Sequence, residues 1–327
     1  MMIISRTPLR VSFAGGGTDI RDYYRTGHGE VVSSAIKKYV YVTINKRFDD
    51  DIRISYSKTE IVDSVDKIEH GIVREALTKV GIRNGVEITT IADIPSRGTG
   101  LGSSSAIAVG LLNALYAFKG HRASPKKLAE EACEIEIEKL GEPIGKQDQY
   151  IAAYGGIQHI RFNADETVTL VPVICPPKTK RDLEDHLMLF YTGKTRKASE
   201  VLSGQRRNIN TNTETLDRMR DQSDQLFHDL TSQHVGALGL ALREGWKLKK
   251  SLANGISDTD IDKVYDKALA AGAVGGKITG AGGGGFLVLF VPPESHWAVR
   301  NALSGLRDVE FRIEPQGSKI IYVGDDF

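Results

Sequence analysis

Three clusters of glycine constrain this chain more than any other feature. They are Gly15-Gly16-Gly17, Gly98-Thr99-Gly100-Leu101-Gly102 and Gly280-Ala281-Gly282-Gly283-Gly284-Gly285. Glycine lets backbone approach a ligand closely, so three such loops predict one composite site rather than three turns. The middle cluster is the most informative. Residues 86–91 alternate as a strand (VEITTI), Pro95 breaks the pattern, the glycines follow, and residues 104–119 carry a largely apolar helix. Ser103, Ser104 and Ser105 stand where N-cap residues belong. A helix N-terminus offers unsatisfied N–H groups and partial positive charge. With glycines in front of it, this segment reads as an anion cradle. A serine-capped turn would need fewer glycines and fewer serines.

The kind of cradle can be narrowed. A P-loop requires Lys and then Ser or Thr after the last glycine, but Gly102 is followed by Ser103. A dinucleotide fingerprint requires Gly or Ala where Ser105 stands. Residues 280–285 do match G-x-G-x-x-G, yet they precede the apolar strand 286–291 instead of opening a helix, so the match to a dinucleotide fingerprint is accidental.

Elsewhere, residues 9–13 alternate as a strand into the first loop, and residues 31–45 are strand-like in their second half. A second helix is expected over 125–140, then a polar loop over 141–149 and a buried strand over 187–191. Amphipathic helices fill 198–271. Strands 274–278 and 286–291 flank the third loop, and a helix (295–306) and a strand (320–323) complete the pattern. At 327 residues two domains are expected, divided after Pro176 and Pro177 into 1–183 and 184–327.

A net charge of +1 gives no reason to expect nucleic acid or an anionic membrane as partner. Two cysteines without a C-x-x-C pair fit a reducing compartment. No signal peptide and no apolar stretch of about 18 residues is read, so the expected location is the cytoplasm.

Three segments together resemble the galactokinase/homoserine kinase/mevalonate kinase/phosphomevalonate kinase superfamily. Residues 95–106 (PSRGTGLGSSSA) are similar to its ATP-binding signature, 8–19 (PLRVSFAGGGTD) to its N-terminal substrate motif, and 277–285 (KITGAGGGG) to its C-terminal glycine motif. The resemblance implies an α+β fold of two domains with the active site between them. The N-terminal domain would be like the second domain of ribosomal protein S5 and the C-terminal domain ferredoxin-like. It implies ATP and Mg²⁺ as cofactors, with Arg97, Gly98, Thr99, Gly100, Leu101, Gly102, Ser103, Ser104 and Ser105 binding ATP. Phosphoryl transfer needs a phosphate cradle, Mg²⁺ and a positioned acceptor hydroxyl. A hydroxyl at the cradle helix, Ser104, is one candidate Mg²⁺ ligand. The other is a carboxylate on the helix before the polar loop, where Glu134, Glu136 and Glu138 compete; the family pattern favours Glu136.

Residues 145–149 (GKQDQ) resemble the family's catalytic-aspartate loop, which makes Asp148 the acceptor of the substrate hydroxyl proton and Arg10 its cationic neighbour. Substrate contacts are expected from Gly16, Gly17, Thr18, Asp19, Gly145, Lys146, Asp148, Arg196, Gly282 and Gly283, with Asp19 on sugar hydroxyls. Gly16-Gly17 replaces the Glu-His pair common in galactokinases, which argues against galactose. Residues 7–19 and 143–150 look like those of the D-glycero-D-manno-heptose 7-phosphate kinases. That resemblance implies phosphorylation of the anomeric hydroxyl to a 1,7-bisphosphate, on the route to nucleotide-activated heptose. Lys194, Arg196 and Lys197 would meet the acceptor's distal phosphate. The alternatives are a kinase of fucose or a galactose derivative, a sugar- and ATP-binding sensor without turnover, and a dinucleotide oxidoreductase.

Overall fold

The computed structural model describes residues 1–95, 98–195 and 198–324. Its first sheet grows from two long strands, β1 (Met2–Ala14) and β2 (His28–Lys46), paired antiparallel. Also in this sheet are β3 (Ile52–Ser55), β4 (Thr59–Val62), β5 (Val86–Ala92), β6 (Ile157–Asn163), β7 (Val168–Pro172) and β12 (Lys319–Gly324). Its order is β12-β1-β2-β5-β3-β4, with β6 joining β2 and β7. Strand β2 is longer than its composition suggests. Val31 to Ala35 are all buried, Ser33 and Ser34 included, because β1 and β6 flank them and helices pack on them. With no solvent face there is no alternation to read.

The second sheet is antiparallel, with order β11-β8-β10-β9, from β8 (Leu187–Tyr191), β9 (Gly275–Ile278), β10 (Phe286–Phe290) and β11 (Arg307–Asp308). Eleven helices complete the described residues. The first six are α1 (Arg21–Tyr24), α2 (Gly71–Val80), α3 (Ser103–Phe118), α4 (Pro125–Cys133), α5 (Gln147–Tyr154) and α6 (Pro177–Asp185). The other five are α7 (Ala198–Arg207), α8 (Thr213–Thr231), α9 (Ala237–Leu252), α10 (Thr259–Ala270) and α11 (His296–Ala302). The mixed α/β architecture expected from the sequence is present.

Four local readings change. The residue capping α3 is Gly102, at φ +73°, and Ser103 to Ser105 form the first turn instead. The helix read as 125–140 is α-helical only to Cys133 and continues as a π-helical turn, Glu134–Lys139. The loop read as 141–149 ends at Lys146, so Asp148 is the second residue of α5. Helix α5 hides from periodicity because Gln147 and Gln149 to Ala153 are all buried, which leaves no polar face. Finally, β12 pairs with β1 in the first sheet, so the chain's last strand crosses back. Taken as a proposal, the division into 1–183 and 184–327 places its boundary inside α6.

Candidate active site

The three glycine loops meet around one cavity of ≈ 620 Å³. The second and third touch directly: a Cβ on Gly100 would lie 2.4 Å from Thr279 O, and Thr279 Oγ1 donates to Thr99 O at 3.3 Å. Gly98, Thr99, Gly100, Gly102 and Ser103 to Ser105 line one side of the cavity. Leu101 does not; it is fully buried, and its carbonyl accepts from Arg10 N–H at 3.1 Å. Arg97 lies outside the described residues.

Arg10 and Asp148 form a two-pronged pair beneath this loop. Arg10 Nε donates to Asp148 Oδ1 at 2.6 Å and Nη2 to Oδ2 at 2.7 Å, while Nη1 donates to Gly100 O at 2.6 Å. One guanidinium therefore ties the base candidate to the cradle.

Asp19 also lines the cavity, with Gly16, Gly17 and Gly145. Its Oδ1 accepts from Gly17 N–H at 3.1 Å, and its Oδ2 accepts from Gln147 N–H at 3.3 Å and Nε2 at 3.2 Å. Burial, with Asp148 as a second cause, pushes its carboxyl above the ordinary aspartate value. Gly145 is required here because a Cβ would stand 2.0 Å from Asp19 Oδ2.

Two expected substrate contacts point away. Thr18 is fully buried, its hydroxyl donating to Gly15 O and Glu30 O, both at 2.8 Å. Lys146 turns from the cavity to pair with Glu166 and lies 5.0 Å above the Tyr24 ring. In the third loop Gly282 lines the cavity, whereas Gly283 donates its N–H to Ile256 O at 2.8 Å. Lys194 is held by Asp258 at 2.9 Å and Asp260 at 2.8 Å. Arg196 and Lys197 lie outside the described residues.

Sequence reasoning missed Ser12, Gln147, Gln205 and Lys249, all lining the cavity. Ser12 Oγ, Ser103 Oγ, Gln147 Oε1 and Gln205 Nε2 are buried without a hydrogen-bond partner. Native proteins rarely leave such atoms unmatched, so a cavity lined by four of them is built for a polar ligand. Lys249 had a signal. It falls on the buried phase of α9, with Leu238, Leu242, Trp246 and Leu252, where an apolar residue is the norm.

The chain matches the family model described as GHMP kinases N terminal domain over residues 52–156, and that described as GHMP kinases C terminal over residues 226–305. It is 30% identical over 318 residues to a D-glycero-alpha-D-manno-heptose 7-phosphate kinase of Campylobacter jejuni, which covers 92% of this chain and 93% of that one. The chain belongs to the GHMP kinases. Its fold matches a solved structure titled as a D-glycero-D-manno-heptose 1-phosphate kinase from Bacteroides thetaiotaomicron, with TM-score 0.82, 25% identity, and 99% and 100% of the two chains covered. A Lactococcus lactis galactokinase complexed with galactose shares the fold at TM-score 0.77 and 19% identity, over 97% and 95% of the chains. GHMP kinases use ATP, so this is an ATP-dependent kinase of the sugar-kinase type. No helix among the described residues is long and apolar enough to cross a membrane.

The three glutamates of the π-helical turn separate cleanly in this GHMP kinase. Glu134 pairs with Lys79 at 2.6 Å and Glu138 with Arg21, both outward. Glu136 is 1% exposed, accepts from Ser104 Oγ at 2.6 Å and Gln149 Nε2 at 2.7 Å, and has no cation in ion-pair contact among the described residues. A buried carboxylate with neutral partners beside a cradle hydroxyl fits a hard divalent cation.

Burial pushes the Glu136 carboxyl from 4.5 up to about 7, against the lowering effect of the Ser104, Ser105 and Gln149 hydrogen bonds. Without metal, the unfolded chain ionises first as pH rises from about 4.5, so stability falls toward pH 7, by roughly 3 kcal/mol. Glu136→Gln is expected to flatten that slope and to abolish stabilisation by Mg²⁺ with nucleotide. Melting curves at pH 5 and pH 8, with and without Mg²⁺ and nucleotide, check this; a Mg²⁺-dependent shift equal to the parent's would exclude Glu136 as a metal ligand.

Proposed function

We propose that this GHMP kinase transfers the γ-phosphoryl group of ATP to the anomeric hydroxyl of D-glycero-D-manno-heptose 7-phosphate, giving the 1,7-bisphosphate. The observation that carries a polyhydroxylated acceptor is the set of unmatched polar atoms on Ser12, Gln147 and Gln205, which line the same cavity as buried Asp19 and the glycine loop. A hydrocarbon-rich acceptor would leave them unpaired, at about 1–3 kcal/mol each. The likeness to the heptose 7-phosphate kinase of Campylobacter jejuni supports the choice of sugar.

In this reading the α3 N-terminus and the glycine loop hold the ATP phosphates. Ser104 and Glu136 hold Mg²⁺, which when bound neutralises phosphate charge. Asp148 accepts the proton of the attacking hydroxyl. Arg10 keeps Asp148 ionised and aimed, and Asp19 with Gln147 orients the sugar. Lys194 is already engaged by two aspartates, so the acceptor's distal phosphate falls to Arg196 and Lys197.

A coupled ADP-release assay tests the reading across heptose 7-phosphate, heptose 1-phosphate, unphosphorylated heptose, galactose and fucose. Losing the distal phosphate is expected to cost at least roughly tenfold in kcat/KM, one charge-assisted contact. Arg196→Ala should narrow that gap. Equal turnover of a neutral sugar would refute the phosphorylated acceptor and leave the kinase standing.

A further inference from the structure

The cavity has a cation whose role the reading above leaves unassigned. Lys249 reaches in from α9 and is 5% exposed. Its ammonium donates to Gly280 O of the third glycine loop. It also lies 3.9 Å from where a Cβ on Gly16 would stand. The same point is 3.4 Å from Ser12 Oγ and 3.9 Å from Gln147 Nε2. Three polar ends thus surround the space that a side chain at position 16 would fill, in the cavity that Gly16 and the glycine loop both line.

Charge balance sharpens this. Among the described residues lining the cavity, the cations are Arg10 and Lys249. Arg10 is neutralised by its two-pronged pair with Asp148, whereas Lys249 has a carbonyl as its partner. An ammonium has three donors, so two remain. A buried ammonium without a carboxylate is costly, and that cost is relieved when an anion arrives.

We infer that Lys249 donates a hydrogen bond to a non-bridging oxygen of the phosphoryl group in transit, which makes it a catalytic residue of the proposed kinase reaction. The inference rests on the kinase reading and concerns the same site. In the step, the acceptor hydroxyl oxygen forms a bond to Pγ. The bond from Pγ to the ADP oxygen breaks and its electron pair stays on the β-phosphate. The hydroxyl proton passes to Asp148. Negative charge on the group in flight spreads over three non-bridging oxygens, and a preorganised donor there acts as an oxyanion hole does.

The groups facing Lys249 are Arg10 from β1, Asp19 from the loop after it, Asp148 from α5 and Lys277 from β9. Burial first and Arg10 second lower the Lys249 ammonium to about 8, with Asp19 and Asp148 acting the other way. Lys277 is buried and held well below the ordinary lysine range, chiefly by desolvation, with Lys249 and Arg10 as further causes. Lys249 is therefore part-charged at pH 8 and takes up a proton when a phosphoryl oxygen meets it.

Lys249→Met keeps length and burial while removing the donor. Its kcat should fall at least about 10²-fold, the cost of one oxyanion donor, with KM for ATP and acceptor within about threefold of the parent. Lys249→Arg should recover at least about tenfold of that loss. The alkaline limb of the parent's kcat/KM profile, which reports the free enzyme and should lie near pH 8, should shift upward in Lys249→Arg, because a guanidinium does not titrate there. A tie to Gly280 alone would change melting temperature and KM and leave the limb in place. Near-parental kcat in folded Lys249→Met, or a limb unmoved in Lys249→Arg, overturns the inference.

A second readout does not need a sugar. Calorimetry with ADP, Mg²⁺ and tetrafluoroaluminate, a mimic of the phosphoryl group, should show proton uptake at pH 8 in the parent and none in Lys249→Met. Equal uptake in both overturns the assignment. Absence of ADP release from every sugar, with the uptake difference intact, would instead sink the substrate reading.

Discussion

Asp148→Asn is expected to lower kcat at least about 10²-fold, the range that a positioned general base contributes. Asparagine keeps the shape of Asp148 and can accept one of the two Arg10 hydrogen bonds. It cannot take the proton of an attacking hydroxyl. It also strands the Arg10 guanidinium, whose side chain is 6% exposed. Removing one partner of a buried ion pair costs about 3–5 kcal/mol, and Asp148, at 21% exposed, places the loss at the lower end. Melting temperature should therefore fall as well. Affinity for Mg-ATP should stay within about threefold, because the cradle keeps its backbone donors. The ADP-release assay and calorimetry check the two halves separately. Normal kcat in a folded variant would remove Asp148 from the role of base.

Gly102→Val should abolish nucleotide binding and turnover together. Gly102 caps α3 at φ +73°, where a β-branched residue is strained. A Cβ there would lie 3.2 Å from both Asp148 Oδ2 and Arg10 Cγ. Valine would tilt the first turn, moving the backbone N–H groups of Ser103 to Ser105 from the proposed phosphate position, and would press on the Arg10–Asp148 pair. Gly102→Ala separates these effects. It adds one methyl against Arg10 and Asp148, so kcat should drop more than nucleotide affinity. Calorimetry with a non-hydrolysable ATP analogue reads the binding; affinity within threefold of the parent in Gly102→Val would show that this loop does not cradle phosphate.

The three glycine loops and the serine-led helix were legible because they rest on local backbone properties. Positive φ, missing Cβ atoms and an open helix N-terminus are written within a dozen residues of chain. Glu136 was partly legible. The resemblance to the family pattern favoured it over Glu134 and Glu138, while the residues alone left the three in competition. Its burial against Ser104 needed the fold. The start of α5 was hidden, because a short helix buried on all sides carries no amphipathic period.

What the chain's own sequence determined is the glycine-rich loop that opens α3, the mixed α/β layering and the meeting of the three loops at one cavity. Tertiary structure alone decided that Thr18 and Lys146 face Glu30 and Glu166 instead of a ligand. It also decided that β12 returns to β1 and that Lys249 enters the cavity. The physical reason is distance along the chain. Arg10 meets an aspartate 138 residues away, and Lys249 meets a carbonyl 31 residues away. A side chain's role is set by the partners it finds after folding, and sequence periodicity records only that a position is buried.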